Sequence, residues 1–594
     1  MRLLFELYFS AIKFIRNRVS NRQFLIISAI MVGITAGIAA VVLKTTVHYI
    51  QSFLTYDFKF KYHNYLYLIF PFIGILLTVL FIKYFLKSPF GKGASHILFH
   101  ISKKLSFIDK ETTYSHIITS ALTVGFGGSA GLEAPILVTG AAIGSNYGRI
   151  NMFDYKERTL LLACGSAAGI AAVFNAPIAG VMFAIEVLLS EATVAAIIPI
   201  LISAASGALC SKILLQENIL FSFTELLPFN YNNVPYYIVL GFAAGIISLY
   251  YAKVFFKVEG LFKKIQHKTF FKVLIGGLIL GVLVFLFPPL FGEGYQSIKL
   301  IATGQSSKLI ENSILSQYST NEWFLLMFIG VIIFIKAIAT SVTMHSGGNG
   351  GNFAPSLFVG AFLGYFFSRF INLLNISTLP EANFTLVGMA GILSGVMYAP
   401  LTGIFLIAEL TQGYDLMIPL MIVSSIAYII VRHFEPYSMD TKDLARQGIL
   451  HSANKDISIL SFMDKDEIIE KDFKTILNTS TLKELENLIA HSKRNIFPVL
   501  DNENNFLGII SLDNIREILF ELESYEELLA IEFMSKSPVV IDYNEDLTSM
   551  MFKFDETNAW NLPVLKDGKY VGFISKSTIL TKYRKQLLEN YREK

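Results

Sequence analysis

Between Glu111 and Arg149 the chain carries a single Asp, Glu, Lys or Arg, and it is Glu133. That residue stands in a glycine-rich break, Gly127-Gly128-Ser129-Ala130-Gly131-Leu132-Glu133-Ala134-Pro135, inside an otherwise apolar stretch. A carboxylate in hydrocarbon is expensive, so an intramembrane one points to function. The break suggests which function. Where a helix starts afresh inside a membrane, its first N–H groups lack acceptors and its macrodipole places roughly half a positive charge at that end. A small anion entering hydrocarbon alone faces a penalty on the order of tens of kcal/mol. Free helix starts supply the partners it needs, and glycines let the backbone come close. Pro135 sits where a first-turn proline costs no hydrogen bond. In such a site the Glu133 carboxylate can take the place of an anion and leave when protonated or outcompeted, which is the chemistry of a gate. A bare cation would meet the wrong sign.

The break recurs. Gly347-Gly348-Asn349-Gly350-Gly351-Asn352-Phe353-Ala354-Pro355 repeats it at a shift of 220 residues, and Gly140 and Gly144 align with Gly360 and Gly364. A second pair follows in the same order: Ala176-Pro177-Ile178-Ala179-Gly180 up to Glu186, against Ala399-Pro400-Leu401-Thr402-Gly403 up to Glu409. Interrupted apolar segments in corresponding halves point to a central binding site. The duplicate has Phe353 where the first half has Glu133, so the two halves use that position differently. Glu186 and Glu409 occupy equivalent places and read as helix-terminal carboxylates with structural pairing.

The elements that must carry these breaks are membrane helices. Charged residues make up 16% of the 594-residue chain, against about 25% in soluble domains. Phe24 to Leu43, Tyr65 to Ile82, Val273 to Gly292 and Leu416 to Val431 contain no Asp, Glu, Lys or Arg. Stretches of this kind can cross roughly 30 Å of hydrocarbon at 1.5 Å per residue. Lys13, Arg16, Arg18 and Arg22 precede the first of them, which puts the N-terminus in the cytoplasm, and charges interrupt 1–22 too often for a cleavable signal peptide. Cys164 and Cys210 read as small core residues, with no disulfide framework and no metal site.

Near residue 440 the composition turns polar. The reading is a membrane domain over 1–440 with repeats at about 20–215 and 233–440, a linker at 441–460, and a tail of two modules, 461–522 and 530–590. The tail is itself doubled: Phe497-Pro498-Val499-Leu500 then Leu507-Gly508-Ile509-Ile510-Ser511, against Leu562-Pro563-Val564-Leu565 then Val571-Gly572-Phe573-Ile574-Ser575.

These motifs resemble the CLC family of chloride channels and transporters over roughly 20–445, with a tail that resembles a pair of CBS domains. The family's signature pieces stand here as Gly91-Lys92-Gly93-Ala94-Ser95, Gly131-Leu132-Glu133-Ala134-Pro135, Gly351-Asn352-Phe353-Ala354-Pro355 and Pro436-Tyr437-Ser438, reinforced by Phe174-Asn175-Ala176-Pro177. The resemblance implies an all-α polytopic membrane domain with an inverted internal repeat, followed by an α/β cytoplasmic CBS pair. It implies a homodimer in the cell membrane with a separate chloride pore in each subunit, no enzymatic activity and no nucleic-acid partner. Glu133 would be the gate. Lys92, Gly93, the backbone N–H groups of Asn352 and Phe353, and the Tyr437 hydroxyl would contact the anion.

Two departures matter. Lys92 stands where the family usually has serine: its ammonium either points into the pathway and raises anion occupancy or snorkels to the cytoplasmic surface, so other halides or nitrate stay open beside chloride. Val187 stands where proton-coupled members generally carry an internal glutamate. Valine cannot hold a proton, which favours a passive channel over a chloride/proton antiporter, the alternative that a water wire or another acid would keep open. In the tail, an adenine nucleotide is the cofactor the CBS resemblance suggests, with Ser511, Asp513 and Ser575 as its candidate contacts. The acid expected three residues after each serine is replaced by Asn514 and Thr578, and dimer contact is an equal alternative role.

Two rivals fare worse. Gly127-Gly128-Ser129-Ala130-Gly131 fits the G-x-S-x-G pattern of serine hydrolases, with His116 and His345 elsewhere in the chain. That elbow needs a preceding strand, whereas the residues before it read as apolar helix and the duplicate replaces Ser129 with Asn349. A cation transporter would want clustered acids within the spans.

Overall fold

The computed structural model describes residues 18–56, 63–86, 90–103, 105–189, 194–215, 227–265, 268–310, 315–318, 320–446, 465–516, 528–537 and 539–592. Two compact units divide the chain at Leu450 and His451. The segment just after 440 stays with the first unit: Leu444 is buried and Lys442 pairs with Glu435 at 2.6 Å.

The first unit is helical among its described residues. In chain order its principal helices are α1 (Asn21–Tyr56), α2 (Phe70–Phe85), α3 (Gly93–Lys103), α4 (Thr112–Gly125), α5 (Glu133–Ile150), α6 (Tyr155–Phe174), α7 (Pro177–Phe183) and α8 (Val194–Leu215). Then come α9 (Val234–Lys263), α10 (Thr269–Leu286), α11 (Tyr295–Ala302), α12 (Glu322–His345), α13 (Phe353–Leu373), α14 (Glu381–Met397), α15 (Pro400–Leu410), α16 (Met417–Phe434) and α17 (Lys442–Arg446). Eight helices among the described residues are long and apolar enough to cross a bilayer. Further apolar helices, α2, α14 and α15 among them, are shorter, at 11 to 17 residues. A polytopic membrane protein follows.

The two halves hold each other by reciprocal bonds. Gly131 and Gly351 exchange N–H to O=C bonds, 2.9 Å in each direction. Ser129 N–H donates to the Thr343 hydroxyl at 3.1 Å, and Asn349 N–H to the Thr123 hydroxyl at 2.9 Å. All three pairs are related by the shift of 220 read from the sequence. Glycines permit the tightest helix contacts in each half. A Cβ on Gly140 would lie 2.1 Å from the Gly165 carbonyl oxygen, and one on Gly360 would lie 2.4 Å from that of Gly388. Neither site has room for a side chain, so α5 packs backbone-close on α6, and α13 on α14. This close approach of small residues is the way membrane helices associate.

The second unit contains two three-stranded sheets, β1 (Ile476–Leu477), β2 (Ile496–Leu500), β3 (Phe506–Ser511) and β4 (Ile541–Asp542), β5 (Asn561–Lys566), β6 (Lys569–Ser575). In each, the first pair is parallel and the second antiparallel, with Phe497 opposite Ile510 and Leu562 opposite Ile574. Leu482–Ala490 and Leu547–Thr557 are the helices that connect first to second strand. Each module's leading segment pairs with the other module's sheet: Glu470 exchanges backbone bonds with Phe573, and Ser535 with Ile509. Interlocking of duplicated parts therefore occurs in both units.

Candidate functional site

Helices α5 and α13 begin at the paired breaks, and both begin without side-chain caps, at Leu132 and Asn352. Buried helix starts of that kind must find an outside partner. For α13 the partner present is Glu133, which is fully buried. Its Oε2 accepts from Ala354 N–H at 3.3 Å, and its Oε1 accepts from the Tyr295 hydroxyl at 2.5 Å. Glu133 of one half thus reaches across to the helix start of the other. The N–H groups of Asn352 and Phe353, at the first positions of α13, have no intrahelical acceptors. Asn352 is itself positioned from behind, its Oδ1 accepting from the buried Tyr251 hydroxyl at 3.1 Å.

Aromatic rings wall this point. Phe353, the counterpart of Glu133, lies against Phe174 and Phe183 with centroids 5.4 and 5.9 Å away, and Phe174 meets Tyr295 edge-on at 6.3 Å. Two cavities approach it. One, termed inner for its α17 lining, about 250 Å³, is lined by Glu133, Asn352, Phe353, Lys92, Gly93 and Asp440, and also by Asp443 of α17. The outer one, about 560 Å³, is lined by Tyr295 together with Lys44, His48 and Glu293. Glu133 and its tyrosine partner therefore stand between the two spaces.

Of the residues expected from the sequence, Glu133, Lys92, Gly93, Asn352 and Phe353 all line the inner cavity. Gly93 opens α3 with φ +65, a left-handed conformation that glycine adopts without strain. The Lys92 ammonium donates to the carbonyls of Met344 at 2.9 Å and Gly348 at 2.6 Å. It therefore caps the end of α12 and braces the second break while lining the cavity. Val187 is partly buried against the apolar core.

Tyr437 lies elsewhere. It is 41% exposed and does not line the cavity. The Ser438 carbonyl accepts from Thr441 N–H at 3.2 Å and Lys442 N–H at 3.0 Å, so the turn into α17 starts after Tyr437. That turn carries Met439 and Asp440 to the cavity wall and leaves the tyrosine outside it.

Several residues at the site were missed in the sequence. Tyr295 follows a glycine-bracketed break, Gly292-Glu293-Gly294, that resembles the other breaks in kind. Lys336 is the sole Lys or Arg within α12, a signal that went unused. Fully buried, it donates to the Ser129 hydroxyl at 2.9 Å and to the Gly292 carbonyl at 3.3 Å, and lies 4.6 Å from the centre of the Phe358 ring. At the shift of 220 its counterpart is His116, whose Nδ1 meets the Asn349 side chain at 3.2 Å. Ser129, the residue a hydrolase would use as nucleophile, is thus a bracing contact of the first break.

The second carboxylate pair has a different geometry. Glu409 accepts from Ile178 N–H at 2.9 Å and Ala179 N–H at 2.8 Å, at the start of α7. Glu186 accepts from Leu401 N–H at 2.9 Å and from Thr402 N–H at 2.8 Å and its hydroxyl at 2.7 Å, at the start of α15. Each half caps the other's helix.

In the tail, Ser511 caps the helical turn after β3 by accepting from Asn514 N–H at 3.3 Å, and Asp513 pairs with Arg516 at 2.7 Å on the surface. The Ser575 hydroxyl donates to Glu470 at 2.7 Å, and Thr578 binds the same carboxylate. Glu470 in turn pairs with Arg494 at 2.6 Å.

Residues 73–432 match the profile of the family described as voltage gated chloride channel, and residues 465–521 and 530–585 match the CBS domain. A ClcB-like chloride channel protein of Ralstonia nicotianae is 28% identical over 384 residues, 64% of this chain and 85% of that one. Among solved structures, a slow cyanobacterial Cl−/H+ antiporter shares the fold with a TM-score of 0.61 at 23% identity, covering 72% of this chain and 98% of its own. A eukaryotic CLC transporter does so at a TM-score of 0.60 and 20% identity over 93% of this chain and 97% of its own. At such identities the likeness is one of fold.

Proposed function

The chain belongs to the voltage gated chloride channel family, and with transmembrane chloride transport as its activity we propose that Glu133 is the gate of that transport. The observation that carries this reading is the placement of its carboxylate on Ala354 N–H, at the start of α13 and between the two cavities. In this arrangement the carboxylate is a tethered anion. A chloride ion competes for the same amides, and protonation removes the charge that holds the carboxyl there. Chloride arriving from the inner cavity would be received by the N–H groups of Asn352 and Phe353, beside Lys92 and Gly93. Passive conduction is supported by Val187, which offers no proton site next to Glu186. The assembly is proposed to be a homodimer with one such pathway in each subunit and with the N-terminus and CBS tail in the cytoplasm. CBS domains commonly bind adenine nucleotides; in this pair the commitment of Ser575 and Thr578 to Glu470 supports a bracing role for the second module.

A second reading, exchange of chloride for protons, is favoured by one observation: the cavity that ends on Glu133 holds further acids, Asp440 beside Glu259 and Asp443. The gate itself is tested with purified protein in liposomes, following chloride efflux against pH. The expected result is flux that rises as pH falls in the wild type and is fast and flat with pH in Glu133→Gln. Retention of the wild-type pH profile in that variant would overturn the gate.

A further inference from the structure

Asp440 is unlike the other charged groups around it. Glu259 is held by Lys263 at 2.7 Å, and Lys92 by the carbonyls of Met344 and Gly348. His345 Nδ1 lies 2.9 Å from the Ser341 carbonyl oxygen, and Asp443 lies 3.5 Å from Arg446. Asp440 makes neither an ion pair nor a side-chain hydrogen bond among the described residues. It faces the start of α3, where a Cβ on Gly93 would stand 3.5 Å from its Oδ1. It shares with Glu133 a single cavity of about 250 Å³, room for several waters at about 30 Å³ of liquid each.

We propose that Asp440 passes protons between the inner solution and Glu133 through water held in this cavity; the proposal rests on the exchange reading above. The bookkeeping is that of proton transfer alone. A hydronium ion of the inner solution gives its proton to the Asp440 carboxylate and becomes water. Asp440 then releases that proton to cavity water, which delivers it to a Glu133 carboxylate oxygen. Asp440 is again an anion, Glu133 is a neutral acid, and nothing is oxidised or reduced. Run in reverse, the same steps discharge the gate inward. Partial burial lifts the Asp440 carboxyl to about 6, so it is mostly protonated below that pH and mostly ionised above it, and changes state close to neutrality. This route does not pass the Glu186–Val187 turn, so the valine there is no obstacle.

The test uses the full chain in proteoliposomes, with a chloride gradient imposed and chloride flux and external pH recorded together. Expected is proton movement driven by chloride in the wild type. In Asp440→Asn the proton-to-chloride ratio falls by about 100-fold, the low end for loss of a proton-transfer group, while chloride flux persists; Asp440→Glu restores the ratio. A wild type that moves chloride without protons overturns both the exchange reading and this inference. Undiminished proton movement in Asp440→Asn leaves exchange standing and overturns the inference alone. Loss of chloride flux together with protons, in a variant that elutes as the wild type does on size exclusion, also overturns it, because a proton relay leaves the anion path intact.

Discussion

Three carboxylates in the membrane unit cap helix starts that belong to the opposite half, and they do so in two ways. Glu186 and Glu409 each use both oxygens on two consecutive backbone N–H groups at 2.8–2.9 Å. Glu133 spends one oxygen on a single N–H at 3.3 Å and the other on a tyrosine hydroxyl. The first arrangement resembles a lock. Two short charge-assisted bonds hold each carboxylate, and losing it would strand two N–H groups. The second leaves room for a competitor, because the neighbouring N–H groups at the start of α13 stay available to an anion. The same residue type on the same kind of target is thus held by two backbone bonds in one place and by one in another, and the proposed gate is the member with one.

The largest expected effect breaks the displaceable member. Glu133→Gln keeps the shape and removes the charge, so chloride flux at neutral pH rises by about 10- to 100-fold, the rate equivalent of a charge-assisted bond worth about 1.5–3 kcal/mol. Flux assays in proteoliposomes would record it. The next effect breaks a lock. Glu409→Ala leaves Ile178 and Ala179 N–H unsatisfied, and the detergent-solubilised protein should lose about 2–4 kcal/mol of stability, read as a lower Tm. Flux per folded molecule should stay within about twofold, a shift of less than about 0.5 kcal/mol in the barrier. A large change in gating, with little change in Tm, would erase the distinction between the two kinds of cap. A smaller effect weakens only the tether. Tyr295→Phe removes the hydroxyl on Glu133 Oε1 and should raise flux by about 3- to 10-fold, as expected for one hydrogen bond of about 1 kcal/mol, with the pH dependence retained.

How far the sequence carried this contrast depends on what each feature needs in order to be seen. The two breaks and the 220-residue shift were legible because glycine and proline are irreplaceable where backbones cross, and the Gly131–Gly351 pair is that crossing. Glu133 was legible because a lone charge in an apolar stretch has few bland explanations. Glu186 and Glu409 were read as structural, yet their cross-half partners were not, since nothing local says which distant helix start a carboxylate will meet. Tyr437 was placed by motif alone for a similar reason. A motif position can be matched in sequence, but the direction of the side chain depends on where the following turn begins, and here that turn is closed by the Ser438 carbonyl. Asp440 was invisible as a site residue because it lies in a short connection, where periodicity gives no face to assign, and Tyr295 because it opens a helix of only eight residues behind the Gly292-Glu293-Gly294 break. Lys336 was overlooked despite being as isolated in its helix as Glu133 is in its break.

Lys92 sharpens the contrast at its smallest scale, because it is a cation caught between the same two roles. Its ammonium makes two bonds to carbonyls, as a structural cap does, and it also lines the inner cavity, as an anion-attracting charge must. Lys92→Gln retains an N–H donor and removes the charge, so it separates the roles. If the potential of the ammonium in the cavity matters, chloride entry from the inner side should fall by about threefold at low ionic strength, with the difference shrinking as salt is raised. A purely bracing lysine would show no such salt dependence, and its loss would appear in the Tm alone. Initial chloride uptake into the same vesicles at low and high ionic strength decides between them. The salt-dependent outcome would make the inner cavity attractive to anions through a fixed charge that, unlike Glu133, never has to move.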